Sequence, residues 1–129
     1  MTGPGSYTGL RVGLSFVRGL ALVDDLPAVG IGSLEMVALA GRNAGAGGRF
    51  LSLLDEGRDR VYAAAFEAKP GARALREVSA PDVFPVVVLA AEMQNLGIDL
   101  VCHEAGLVIP SAVSESLEIP AGRAGLLAV

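Results

Sequence analysis

A chain of 129 residues is long enough for one domain or two small lobes. It is 52% hydrophobic and only 19% charged, with a mean hydropathy of +0.54, yet no apolar run reaches the ~18 residues that cross a bilayer, which excludes a membrane-spanning helix. The net charge of −4, with arginines scattered among acids, excludes strong direct binding to RNA or DNA by this chain alone, and a single cysteine excludes a disulfide framework or a cysteine-based zinc site. No signal peptide opens the chain, and the cytoplasm is the expected compartment.

The first predicted element is a loop, Gly3-Pro4-Gly5-Ser6-Tyr7-Thr8-Gly9, that opens a helix. Ser6 is the expected N-cap, and Tyr7 to about Leu22 the helix. Apolar residues cover most of its circumference, which predicts burial on nearly all sides. Arg11, Ser15 and Arg18 form the polar exception on one face. Gly9, Gly13 and Gly19 each cost roughly 1 kcal/mol of helix propensity, which close approach of another backbone would offset. Asp24-Asp25-Leu26-Pro27 ends the helix. A short strand is expected over Ala28 to Ile31, then a helix capped by Ser33 over Leu34 to Ala40. Four glycines between Gly41 and Gly48 mark a linker and a lobe boundary, dividing the chain into residues 1–45 and 46–129.

Phe50 to Asp55 and Arg60 to Phe66 then read as a hairpin around Glu56-Gly57-Arg58-Asp59, with Leu51, Leu53, Val61 and Ala63 as core candidates. Lys69-Pro70-Gly71 turns into a third strand, Ala74 to Ser79. Pro81 and Pro85 bracket the start of a helix, Val86 to Leu96, stopped at Gly97. A strand follows over Ile98 to His103. Ser111 to Glu118 is ambiguous, and Pro120 to Val129 reads as a helix. This order of elements is α/β.

Few residues carry chemistry. The glycine loop lacks the Lys-Ser or Lys-Thr of a phosphate-binding Walker loop, and its last glycine falls one residue late for a dinucleotide fingerprint. It reads as a helix-capping turn, with an anion near Gly3, Gly5, Ser6, Thr8 and Gly9 as the functional alternative. His103 is the lone histidine, too few for a histidine metal site, and is read as structural beside Cys102. Glu35 suits the helix dipole, and Asp55 suits turn chemistry.

The stretch Gly3-Pro4-Gly5-Ser6-Tyr7-Thr8-Gly9-Leu10-Arg11-Val12-Gly13-Leu14 resembles the GPGSFTGLRIGL signature of the bacterial TsaB (YeaZ) family. Arg18-Gly19-Leu20-Ala21 is similar to that family's AKGLA, and Pro27 to Glu35 to its IPLVGVSSLE. Leu54-Asp55 followed by Val61-Tyr62 resembles its hairpin DARxGEVY, although Gly57 stands where the family has Arg and Arg58 follows one place later. Pro120 to Ala124 loosely resembles the start of its last helix.

The resemblance implies the actin-like, sugar-kinase-like (ASKHA) fold of mixed sheets with flanking helices. The chain is then expected to be a fragment, a truncated first lobe with most of the second. The resemblance also implies a role in threonylcarbamoyl modification of tRNA adenosine. A sister family, TsaD, carries the catalytic metal in a segment reading roughly NHLEGH. Its histidine places fall on Ser33 and Val37, so the resemblance implies a non-catalytic chain with no metal and no cofactor. The implied partner is a TsaD-like catalytic subunit, with a TsaE-like ATPase and a homodimer as further possibilities. The expected interface is the first helix, through Arg11, Gly13, Leu14, Val17 and Arg18. The rival reading is a small kinase or ATPase of the same fold that binds phosphate at the glycine loop.

Overall fold

The computed structural model describes residues 2–104, 106, 107, 109–111, 113 and 115–119. Its elements are α1 (Tyr7–Asp24), α2 (Ser33–Asn43), β1 (Gly48–Gly57), β2 (Arg60–Ala68), β3 (Arg76–Pro85), a 3-10 turn (Val86–Val88), α3 (Leu89–Leu96), β4 (Leu100–Glu104) and β5 (Glu115–Ile119). The strands form one sheet in the order β3-β2-β1-β4-β5. β1, β2 and β3 are an antiparallel meander, while β4 runs parallel to β1 and β5 parallel to β4.

The hairpin forms where the sequence places it. Arg58 and Asp59 both take left-handed φ, 54° and 58°, as a two-residue turn between twisted strands requires. The Asp55 carboxylate accepts the Gly57 N–H at 2.8 Å and holds the bulge beside the turn. Alternation then sorts side chains to two faces. Phe50, Ala64, Phe66 and Ala68 join Leu34, Val37 and Ala38 of α2 in one core. Leu51, Leu53, Val61 and Ala63, the four predicted core residues, are all buried on the other face with Leu89 and Met93 of α3. Within the first core the buried Ser52 hydroxyl donates to the Leu34 carbonyl at 2.6 Å, tying α2 to the sheet.

Several expectations are corrected. Residues 28–31 form no strand, because a strand needs a ladder and, among the described residues, this segment receives a single backbone bond, Thr2 N–H to the Ile31 carbonyl. Ser33 is the first helical residue and not the cap; Gly32 precedes the helix, and the Ser33 N–H donates to the Gly3 carbonyl at 2.6 Å. α2 continues beyond Ala40, so Gly41, Arg42 and Asn43 are helical and not linker. β3 begins later than expected and runs through Pro81. As an edge strand it loses no ladder bond to the missing N–H. The following α-helix is accordingly shorter, Leu89–Leu96, and closes on Gly97 at φ 64°. β4 starts at Leu100, and the ambiguous stretch supplies β5. The expected helix over residues 120–129 lies outside the described residues.

Cys102 is fully buried in β4, and burial pushes its thiol from the ordinary 9.0 up to about 12. The unfolded chain releases that proton first as pH rises. Stability should therefore be unaffected by this group below pH 9 and fall between about pH 9 and 12. Urea midpoints at pH 8 and pH 10 check this; a rising midpoint would contradict it.

Candidate functional site

The geometry of interest lies at the carboxyl ends of the parallel strands β1 and β4, where α/β sheets commonly open a ligand crevice. A cleft of about 900 Å³ sits there under α1. Leu54, Asp55 and Glu104 line it from the strand ends, and Ala28, Val29, Gly30 and Ser33 from the segment leading into α2. From the helix side come Gly5, Ser6, Gly9, Leu10, Gly13, Leu14, Val17 and Arg18.

Local chemistry explains the start of α1. The Ser6 hydroxyl accepts the Gly9 N–H at 3.3 Å, and the Ser6 carbonyl accepts from Leu10, so the expected cap is in place. Gly3 turns the chain at φ 104° and gives its carbonyl to the first N–H of α2. The loop thus links the starts of both helices. Gly5, Ser6 and Gly9 border the cleft, while Gly3 and Thr8 do not.

The expectation that α1 is buried nearly all round is overturned: no residue of α1 is buried. Leu10, which lines the cleft, and Ala21 are half-buried. Phe16 is 67% exposed and Leu22 85%. Nothing lies within 4 Å of a Cβ built at Gly13 or Gly19, so the close backbone approach expected there is absent among the described residues. The physical reason is that no described element lies against the outer face of this helix. Gly13, Leu14, Val17 and Arg18 line the cleft, and Arg11 does not; its guanidinium donates to the Tyr7 hydroxyl at 2.9 Å and stacks 5.3 Å over that ring.

Sequence reasoning assigned Asp55 to the turn alone and passed over Glu104. Both reach the cleft because β1 and β4 pair in parallel, with Leu53 opposite His103. The available signal was positional, an acid at the carboxyl end of each strand. His103 is buried with Nδ1 3.0 Å from the Glu104 carbonyl, in keeping with a structural role. Ser33 and Val37 are buried, and Val37 belongs to the α2 core.

Comparisons with known proteins bear on this arrangement. The family model described as TsaD, tRNA N6-adenosine threonylcarbamoyltransferase, matches residues 2–102. The chain is 38% identical over 80 residues to the tRNA threonylcarbamoyladenosine biosynthesis protein TsaB of Bacillus subtilis (strain 168), covering 62% of this chain and 33% of that protein. It is 35% identical over 65 residues to the protein of the same name from Escherichia coli (strain K12), covering 50% of this chain and 28% of that one. The matched stretch therefore spans about a third or less of these relatives. Among solved structures, YeaZ from Pseudomonas aeruginosa superposes with a TM-score of 0.70 at 24% identity, covering 98% of this chain and 60% of that one. A second solved chain, described as similar to the peptidase YEAZ from Pseudomonas aeruginosa, gives 0.71 at 22% identity, covering 98% and 61%. The shared architecture is the actin-like, sugar-kinase-like fold.

Proposed function

Because the chain belongs to the family of TsaD, tRNA N6-adenosine threonylcarbamoyltransferase, and is similar to TsaB proteins, we propose that it is a non-catalytic subunit supporting threonylcarbamoyl transfer to tRNA adenosine by a TsaD-like partner. One observation carries the reading: an 18-residue helix rich in apolar side chains with no buried residue. Contiguous exposed apolar surface of this kind marks an interaction site. In this reading α1 docks on the partner, with Gly13, Leu14 and Val17 in the contact and Arg11 and Arg18 setting its orientation. Gly5, Ser6 and Gly9 then lie beside whatever occupies the cleft. Residues 1–45 supply the docking helix, joined to α2 through the Ser33 N–H bond to the Gly3 carbonyl, and α2 packs on the sheet of residues 46–129.

The test is Gly13→Leu. Gly13 has open space around it, so the chain's own melting temperature should hold or rise slightly with the better helix former. Overpacking a helix contact costs about 1–3 kcal/mol, roughly 5- to 150-fold in partner affinity. Calorimetric titration against the TsaD-like subunit reads it. Unchanged affinity would remove α1 from the interface. Tight magnesium-dependent ATP binding by the chain alone would favour the rival kinase reading.

A further inference from the structure

The far end of the sheet carries a different surface. β1 enters it at Arg49, about 20 Å along the strand from Asp55 and the cleft. Register places Arg49 of β1 opposite Glu67 of β2, and Glu67 opposite Arg76 of β3, so the three stand side by side. Arg49 Nε lies 3.3 Å and Arg76 Nε 3.0 Å from the Glu67 carboxylate, with Lys69 Nζ at 4.0 Å. Three cations thus surround one carboxylate, on a chain whose net charge is −4.

The geometry leaves this charge available. Arg49 and Arg76 each reach Glu67 through Nε, and among the described residues their terminal Nη groups have no partner. Their side chains are 47% and 57% exposed, against 16% for Glu67. Asp99 precedes the β4 residue paired with Phe50, yet among the described residues it forms no ion pair with Arg49.

We propose that this basic rim, formed by Arg49, Lys69 and Arg76 around Glu67, is an auxiliary contact for the phosphodiester backbone of RNA. The choice of RNA rests on the family's action on tRNA. Arg49 and Arg76 stand two strand spacings apart, roughly 10 Å, within reach of neighbouring phosphates of one strand, and Lys69 supplies a third cation. Forked guanidinium groups suit phosphate oxygens, and such contacts position a nucleic acid without reading its sequence. The acidic remainder of the chain keeps the contact weak and strongly salt-dependent. The surface is separate from α1.

The experiment is fluorescence anisotropy of labelled, unmodified tRNA with the full chain between 50 and 200 mM KCl. Three phosphate contacts predict a slope of about −2 to −3 and a roughly 20- to 40-fold loss of affinity over that range. Arg49→Gln with Arg76→Gln should weaken binding at 50 mM and bring the slope near −1. Glu67→Gln, which removes the one carboxylate, should tighten it. A role confined to folding would instead make both changes weaken binding together with the melting temperature. Affinity for the TsaD-like partner should be unchanged by either variant, so loss of the α1 reading and loss of this one are separate results. An unaltered slope in the double variant, weaker binding by Glu67→Gln, or equal binding to phosphatidylserine vesicles or a polyglutamate peptide would overturn the proposal.

Discussion

Phe50→Ala should remove about 3–5 kcal/mol of stability, most of what a domain of this size has to lose. Phe50 has no exposed surface. It stands opposite Phe66 on β2 and Leu100 on β4, at the centre of the five-stranded sheet, and packs in the core shared with Leu34 and Val37 of α2. Truncation leaves a cavity that neither the paired strands nor α2 can close without breaking register. Phe16→Ala is the control. Its ring is 67% exposed on α1, and the chain alone should change by no more than about 0.5 kcal/mol. Urea unfolding of the two variants reads both. Equal losses would mean that α1 packs against the protein in solution.

Gly41→Ala should destabilise the protein even though alanine is the better helix former. A Cβ at Gly41 would lie 2.5 Å from the Cys102 sulfur and 3.1 Å from its Cβ. Both residues are buried, one on α2 and one on β4, so neither can swing away. Overpacking of about 1–3 kcal/mol outweighs the roughly 1 kcal/mol of helix propensity gained. Cys102→Ala removes the sulfur and with it the worst contact. In that background Gly41→Ala should be far less harmful, so the double-mutant cycle should show a coupling above about 0.5 kcal/mol. Additive losses would mean that the helix and strand are not in contact there.

What the chain disclosed as sequence follows from how locally each feature is determined. The β1–β2 hairpin was legible because turn and alternation lie within twenty residues, as did the Ser6 cap. Gly41 was misread as linker because its reason is Cys102, sixty-one positions away. Pro81 signalled a break and proved compatible with a strand only because β3 is at the sheet edge. Residues 28–31 have strand-like composition and no ladder to join. The cleft was half legible. The loop and helix side stood out in sequence, whereas Asp55 and Glu104 come together only through the parallel β1–β4 pairing. The apolar circumference of α1 was read correctly as composition and wrongly as burial within this chain.

The position of β1 has a consequence during synthesis. Its first neighbour, β2, emerges from the ribosome directly after it, but its other neighbour, β4, begins at Leu100. Until then the nascent hairpin presents an unpaired edge along Phe50 to Leu53, flanked by apolar side chains on both faces. Such an edge templates pairing with another chain. α2 has already been made and can shield the Phe50 face through Leu34 and Val37, but α3 and β4 have not. The vulnerable interval is therefore set by translation of the 32 residues or so between Ala68 and Leu100, a few seconds at ordinary elongation rates of ~5–20 residues per second. Slow codons in that stretch would lengthen it and raise the demand for chaperones, with no change in the finished molecule.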